Sequence, residues 1–232
     1  MRAFRKLLFW SIAPLLLLLP KVCAAQERSI YPLNEGTIWI YSGSADWTVP
    51  NTSPGRVRSG KLRWTTEVVK TFSAPGVTAA VMKGFPFELA WYDPTETIPG
   101  YSVIVETGEG LYHAYVRNEA EGELEAQRVI TGQVAPVRAD QLLEYPIRVG
   151  ACLDDGDTAA ELIAAHRYCW FVRREAKVRQ ALGWDLTYET LPDDMSFRLV
   201  PQVGITRFSY HHHGTVANTE AQLINFRLAI KH

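Results

Sequence analysis

Three consecutive histidines, His211 to His213, form the one local cluster in this 232-residue chain whose residue types and spacing suggest chemistry. Side chains of a β-strand alternate between its two faces, so on a strand His211 and His213 would share a face and His212 would lie on the other. A His-x-His pair on a strand can supply two ligands to a transition metal, and His113 is the best candidate for a third. A metal-dependent hydrolase built on these histidines is one hypothesis. The other interpretation, which we favour, is a strand that ends in polar side chains before Gly214.

No other motif in the sequence predicts catalysis. Asp154, Asp155 and Asp157 resemble part of a calcium-binding loop, but the glutamate at the twelfth position of such a loop is missing. The Gly-x-Ser-x-Gly, phosphate-binding-loop, His-Glu-x-x-His and dinucleotide-binding patterns are absent from the sequence. We therefore predict no catalytic residue and no cofactor, and a role in binding or structure.

Residues 1–25 have the composition of a secretory signal peptide. Positive charges at the start are followed by the apolar run Leu7 to Leu19 and then by small residues up to Ala25. The apolar run stops at Pro20, short of the roughly 20 residues needed to cross a bilayer. The sequence therefore predicts cleavage near Ala25 and a secreted or periplasmic location. It also predicts a single β-rich domain at 26–232 with no transmembrane segment.

The charge of the predicted mature chain limits its partners. The full chain has 24 Lys and Arg residues against 25 Asp and Glu residues. Four of the basic residues lie in the predicted signal peptide, which leaves 20 against 25 and a net charge of −5. This sign argues against nucleic acid or an anionic membrane surface as a partner.

Two cysteines, Cys152 and Cys169, remain in the predicted mature chain. An even number of cysteines in an exported protein is typical of disulfide bonding, so we predict that these two are joined. Such a bond would tie the end of one strand to the strand after a short helix. The alternative is a pair of buried free thiols.

Alternation of apolar and polar residues recurs along the mature chain. This period of two is typical of a β-strand with one buried face, and it is clearest at Leu62 to Val68 and at Ile224 to Ile230. Phe87 to Trp91 shows the same alternation. Short turns rich in Gly and Pro separate the runs, which favours sequential antiparallel pairing. We therefore predict a mainly β fold: a single, strongly curled antiparallel sheet, a half-barrel-like meander, with one or two short helices.

Four segments interrupt the strand pattern. Asp157 to His166 predicts a short helix with a capping box at its start. Glu175 to Leu182 allows a second helix that a glycine would end. Asn118 to Glu125, with four glutamates, predicts an exposed, solvated loop. Thr48 to Gly60, rich in Pro and Gly, predicts a surface loop.

Two short segments resemble parts of known proteins. Tyr31 to Tyr41, with the sequence YPLNEGTIWIY, resembles the opening of a broad set of exported bacterial β-rich proteins, mostly uncharacterised. Val200 to Ile205, with the sequence VPQVGI, resembles their closing hairpin. The resemblance implies a periplasmic or surface domain of unassigned activity and transfers no catalytic residue to this chain. It also implies a special turn conformation at Gly36 and a shared strand face for Trp39 and Tyr41.

The sequence leaves three hypotheses about function open. The first is an extracytoplasmic binding module that holds a small or apolar ligand on the concave face of the curled sheet. The second is the metal-dependent hydrolase, and the third is a scaffold that assembles with another protein of the cell envelope. An apolar pocket would favour the first, converging His and carboxylate side chains the second, and an exposed apolar patch without a pocket the third. We favour the first.

Overall fold

The computed structural model describes residues 29–49, 55–94, 96–137, 140–154, 159–178, 181–214 and 216–229. The predicted signal peptide at 1–25 therefore lies outside the described residues. In the part of the chain that is described, no helix is both long and apolar enough to span a membrane. The strands are β1 (Ile38–Val49), β2 (Arg56–Ala74), β3 (Val77–Lys83), β4 (Tyr101–Thr107), β5 (Gly110–Val116), β6 (Gln141–Glu144), β7 (Cys152–Leu153), β8 (Trp170–Val178), β9 (Ala181–Glu189), β10 (Asp193–Val200), β11 (Gly204–His212) and β12 (Ala217–Arg227); the helices are α1 (Glu119–Ile130), α2 (Ala160–Ala164) and a 3-10 helix (Pro86–Leu89).

The twelve strands form one sheet in the order β6-β5-β4-β3-β2-β1-β12-β11-β10-β9-β8-β7, and its strand pairs are antiparallel. The chain meanders from β1 to one edge at β6, continues at the opposite edge with β7, and returns to β12, which pairs with β1. The two edge strands, β6 and β7, contact each other, so the sheet is nearly closed into a barrel. The predicted curled antiparallel meander with short helices is confirmed.

The two segments that carry the resemblance pack against each other at one end of the sheet. Trp39 and Tyr41 are both fully buried in the inner core, and the Trp39 indole donates a hydrogen bond to the Val203 carbonyl (2.5 Å). Gly36 and Gly204 have positive φ values of 82° and 89°. A Cβ added at Gly204 would lie within 3.0 Å of an aromatic ring. Glycine suits both positions, because it has no Cβ to restrict φ or to collide with that ring.

The connection between β3 and β4 fills the concave side of the sheet. Phe85, Phe87 and Leu89 from this connection are buried in the same core as the inner faces of the strands. The Phe87 ring centre lies 5.0 Å from that of Trp170 and 5.6 Å from that of Phe197, so the connection reaches β8 and β10 across the curl. The strand predicted at Phe87 to Trp91 is wrong, because Phe87 and Leu89 enter the core from a 3-10 helix and Trp91 is exposed.

Helix α1 covers the outer face of β3 to β5, where the sequence predicted an exposed loop at Asn118 to Glu125. That prediction is wrong. The Asn118 side chain caps the helix by accepting a hydrogen bond from the Glu121 amide (3.0 Å). Ala126 and Val129 are buried against outward side chains of the strands. Because the helix dipole favours acidic residues in the first turn, the glutamates mark the start of a helix here.

The two predicted helices near β8 have different outcomes. Helix α2 lies within the predicted Asp157 to His166, but residues 155–158, where its capping box would begin, lie outside the described residues. The second helix, predicted at Glu175 to Leu182, is wrong, because Val178 pairs with Ala181 in the hairpin of β8 and β9. Pairing within the sheet supplies the backbone hydrogen bonds there and overrides a composition that a helix would tolerate.

The surface loop predicted at Thr48 to Gly60 is shorter than expected. Strand β1 continues to Val49 and β2 begins at Arg56, and these two residues pair with each other. Residues 50–54, the remainder of the predicted loop, lie outside the described residues.

Cys152 and Cys169 form the predicted disulfide. Cys152 lies in β7, Cys169 immediately precedes β8, and their Cα atoms are 5.5 Å apart. Cys169 is fully buried. The bond closes the segment that contains α2, a helix with no buried residue of its own.

Candidate functional site

The outer face of β8 to β11 is polar and lies beyond the reach of α1. Pairing in register aligns the outward side chains of successive strands into rows that cross the sheet. One row consists of the hydroxyl residues Thr187, Ser196 and Ser209, and the next consists of the charged residues Arg174, Asp185, Arg198 and Arg207.

A cleft of about 810 Å³, here called the outer cleft, lies over these rows. Its volume is within the range of small-molecule sites. One wall of the cleft contains His166, which lies just after helix α2 in the chain. The His166 ring stacks on Phe171 with ring centres 3.8 Å apart and planes 8° apart. The charged lining consists of two carboxylates, Asp185 and Glu189, and of four cleft arginines, Arg173, Arg174, Arg198 and Arg207.

Asp185 joins two of the cleft arginines. Its carboxylate accepts hydrogen bonds from Arg198 Nε (2.6 Å) and Nη2 (3.0 Å) and from Arg174 Nε (2.8 Å). Partial burial disfavours the charged form, but the hydrogen bonds from Arg198 and Arg174 outweigh burial and hold the pKa of Asp185 below its ordinary value. The same hydrogen bonding raises the pKa of Arg198. Asp185 therefore stays ionised and fixes the direction of two guanidinium groups.

The other two cleft arginines reach carboxylates nearby. Arg173 donates hydrogen bonds to Glu189 Oε1 (2.6 Å) and to the Thr187 hydroxyl (3.3 Å), and Arg207 donates to Glu220 (3.1 Å). Both arginine side chains are more than half exposed. A guanidinium carries five N–H donors, and the contacts named here use one or two of them in each arginine. The outer cleft can therefore donate further hydrogen bonds to a ligand.

The charge of the outer cleft is opposite to that of the chain. Four arginines and two carboxylates among its lining residues give a charge of +2. The predicted mature chain carries −5, with 20 basic against 25 acidic residues. Glu220 pairs with Arg207 from outside this lining, so the four arginines still exceed the three carboxylates by one, and the cleft favours an anion over a cation.

Core side chains of the same strands hold the outer cleft in place. Val172, Leu186 and Phe197 are buried in the inner core, and their alternation with polar residues directs the polar side chains outward. A β-bulge between Val172 and Arg174 interrupts this alternation, so Arg173 and Arg174 are both exposed. The bulge thus adds one arginine to the cleft that regular alternation would have turned inward.

His113, the predicted third metal ligand, lies within the core. Its ring stacks on Phe85 with ring centres 4.7 Å apart, and its Nε2 lies 3.1 Å from the Ser102 hydroxyl. Burial lowers the pKa of His113 from 6.5 to about 3, so the ring is neutral at neutral pH. The core itself supplies the contacts of this side chain.

The other two predicted metal ligands have separate partners. His211 Nε2 lies 3.5 Å from Glu220 Oε1, and His213 Nε2 lies 2.7 Å from Asp194 Oδ2. Among the residues that the structure describes, no group of three or more His, Cys, Asp or Glu side chains could hold a metal ion. The structure therefore does not bring His211, His213 and His113 together.

His212 belongs to a network at the rim of the curled sheet. Asp193 Oδ1 accepts hydrogen bonds from the Tyr210 hydroxyl (2.6 Å) and from His212 Nδ1 (2.9 Å). The His212 ring centre lies 4.2 Å from that of Trp91. Gly214 comes so close to His212 that an added Cβ would lie 2.8 Å from Nε2. These contacts hold the imidazole on several sides and give it a structural role.

The outer cleft was not predicted from the sequence. Arg198 follows buried Phe197, and Arg207 precedes buried Phe208, so strand alternation alone could have placed both arginines on the outer face. The contact of Arg198 with Asp185 and the position of Arg207 beside Arg198 depend on the register between three strands, which no single strand encodes. Because a helix was wrongly predicted at Glu175 to Leu182, the β8–β9 hairpin, which carries part of the cleft, was not predicted.

No family model matches this chain, and no curated protein matches it. It is similar to a solved structure from Bacteroides fragilis, described as an exported protein with a YmcC-like fold. The two are 11% identical with a TM-score of 0.44, and the match covers 86% of this chain and 99% of that one. It is also similar to a structure from Parabacteroides distasonis described as a lipoprotein, with 11% identity, a TM-score of 0.41 and coverage of 86% and 99%. Similarity at this level carries no information about function.

Proposed function

We propose that this protein is an extracytoplasmic, non-catalytic binding module that holds a small anionic ligand in the outer cleft. The observation that carries the proposal is the group of four cleft arginines around Asp185 and Glu189, on a chain whose net charge is negative. Guanidinium groups donate charge-assisted hydrogen bonds to carboxylates and phosphates, often two at a time. A ligand with two or more anionic groups can contact several of these arginines at once.

The outer cleft fits such a ligand better than the concave face does. Phe85, Phe87 and Leu89 fill the concave side, so the small or apolar ligand predicted there would have to displace part of the core. A ligand in the outer cleft displaces no core residue. Its polar lining favours an anion over an apolar molecule, because an apolar molecule would bury these charges without hydrogen bonds.

The extracytoplasmic location rests on the predicted signal peptide and is supported by the disulfide, because disulfides persist in oxidising compartments. We expect the mature protein isolated from its host to begin at or close to Gln26. N-terminal sequencing of the exported form tests this expectation. Recovery of that form with Met1 intact would contradict it.

Isothermal titration calorimetry of the mature chain with tripolyphosphate and with citrate tests the binding proposal. Using both anions shows whether the site takes phosphate and carboxylate groups alike. We expect saturable binding that weakens with added salt. The double variant Arg198→Gln/Arg207→Gln should bind at least about tenfold more weakly, since a hydrogen bond to a charged group contributes roughly 1.5–3 kcal/mol.

The matched control is Arg117→Gln/Arg128→Gln. These two arginines are also paired with carboxylates, Glu121 and Glu125, but lie at helix α1 and outside the outer cleft. The control variant should bind both anions as the wild type does. Equal losses in the two double variants, or a wild type that binds neither anion, would contradict the proposal.

A further inference from the structure

We infer that the anionic ligand of the outer cleft carries a planar aromatic ring, and that His166 is the residue that recognises the ring. This inference rests on the proposed function, because it names the ligand class of the same cleft. Its starting point is the stacked pair of His166 and Phe171 in the cleft wall.

His166 and Phe171 form a two-layer stack that a ligand can extend. Their ring centres are 3.8 Å apart and their planes differ by 8°. One face of the imidazole covers Phe171, and because His166 is exposed and lines the cleft, a ligand in the cleft can reach the ring. Planar rings gain contact and electrostatic energy by stacking in an offset, parallel arrangement. A third planar ring on the other face of His166 would continue the stack.

The backbone around His166 is restrained rather than packed into the core. His166 and Tyr168 have positive φ values of 58° and 56°, a region that residues other than glycine rarely adopt. The Tyr168 amide donates a hydrogen bond to the Glu189 carbonyl (2.8 Å), and the Cys152–Cys169 disulfide closes the segment. Helix α2 contributes no buried residue. The hydrogen bond and the disulfide therefore position the imidazole at the cleft wall before a ligand arrives.

The charged lining adjoins this stack. Phe171 pairs in register with Thr187 on the next strand, and the Thr187 hydroxyl accepts a hydrogen bond from Arg173. A ring packed on His166 therefore lies in the same cleft as the hydroxyl row and the cleft arginines, and its substituents can contact them. An aromatic ring that bears two or more acid groups matches both features at once: its face fits the imidazole, and its acid groups accept from the guanidiniums.

Trimesate, a planar aromatic tricarboxylate, and its saturated cyclohexane analogue separate the two features, because they carry the same three carboxylates on a flat and on a puckered ring. We expect the wild type to bind trimesate about fivefold more tightly than the saturated analogue, the size of effect that one ring stack produces. The His166→Ala variant should lose this preference but should still bind the saturated analogue. His211→Ala, which removes a half-buried histidine outside the cleft, should keep the preference.

The outcomes distinguish this inference from the proposed function. Equal binding of the two tricarboxylates to the wild type, or a preference that survives in His166→Ala, would overturn the aromatic assignment and leave the anion site intact. If tripolyphosphate and both tricarboxylates fail to bind, the proposed function is overturned, and the ligand class falls with it.

Discussion

Strands β3 to β5 are buried on both faces along much of their length, whereas the outer face of β8 to β11 is polar and partly exposed. In the first group, which we call the covered half, Val81 and Val103 are buried on the outer side in the cluster that includes α1 residues. In the second group, the open half, Thr187 and Ser196 lie on the outer side and line the outer cleft. Both halves belong to one sheet and contribute to the same inner core. The difference between them therefore lies in their outward side chains.

One curled sheet therefore keeps most of its doubly buried apolar surface in one half and its polar outer surface in the other. The covered half buries apolar surface twice, against the inner core and against α1, which is a large source of stability. The open half carries arginines and hydroxyl residues on its outer face. A disulfide between β7 and the residue before β8 crosslinks the chain at the edge of this half. The polar surface of the open half contributes little to stability and is available for a ligand.

The largest effect is expected for a charge placed on the outer side of the covered half. Val81→Asp would put an unpaired carboxylate under α1, because Val81 is fully buried. We expect the free energy of unfolding to fall by at least about 4 kcal/mol. Thr187→Asp puts the same group on the open half beside Arg173 and should change that free energy by less than about 1 kcal/mol. Urea denaturation measures both variants, and equal losses would contradict the comparison.

The next largest effect should come from the disulfide of the open half. Cys152→Ala/Cys169→Ala should lower the free energy of unfolding by about 3 kcal/mol, because the bond closes a long loop in the unfolded chain. Hydrogen exchange should show that β7 and β8 lose protection before β3 to β5 do. Reduction of the wild type should give the same pattern. Uniform loss of protection across both halves would be inconsistent with a local role for the bond.

Buried His113 in the covered half should make the stability of the protein depend on pH. The pKa of buried His113 is about 3 in the folded chain against an ordinary 6.5, so between these values the unfolded chain binds more protons. Because of His113, the free energy of unfolding therefore falls by up to about 1.4 kcal/mol for each pH unit as the pH drops from about 6.5 to about 3. His113→Phe should flatten the slope between about pH 6 and about pH 4.5 in denaturant unfolding. His211→Phe is the control, and an unchanged slope in His113→Phe would refute the assignment.

The smallest effect is expected at the histidines of the open half. His213 is exposed and His211 is half-buried, and ion pairs between side chains that are this accessible to solvent contribute little. His211→Ala/His213→Ala should change the free energy of unfolding by less than about 1 kcal/mol and leave anion binding intact. Metal analysis of the purified wild type tests the alternative hypothesis, a metal-dependent hydrolase. A stoichiometric, tightly bound metal that the double variant lacks would support the hydrolase hypothesis instead.

The curled sheet could be predicted from the sequence, because the period of two depends only on which face each side chain occupies. The sequence also contains a sign that a helix covers β3. Val77 to Met82 is an almost unbroken apolar run, as expected for a strand buried on both faces. The glutamates that begin α1 concealed the covering helix, since acidic residues suit both a solvated loop and a helix start.

The candidate site could not be predicted in the same way. Asp185, Arg198 and Arg207 lie on three different strands, and only the register of the sheet places Arg198 between the other two. His166 reaches the cleft because a disulfide and two left-handed residues turn the chain after α2. Consecutive residues such as His211 to His213 attract attention in a sequence, whereas this site is assembled from residues far apart in the chain.

An anion should bind the cleft arginines of the open half. Solution NMR of the chain labelled at its arginine side chains can detect this binding residue by residue, because each Nε–H group gives its own signal. On titration with citrate, the signals of the four cleft arginines should shift together and follow one dissociation constant, while those of Arg117 and Arg128 stay in place. Equal shifts at Arg117 and Arg128, or no saturable shift at the cleft arginines, would contradict the claim.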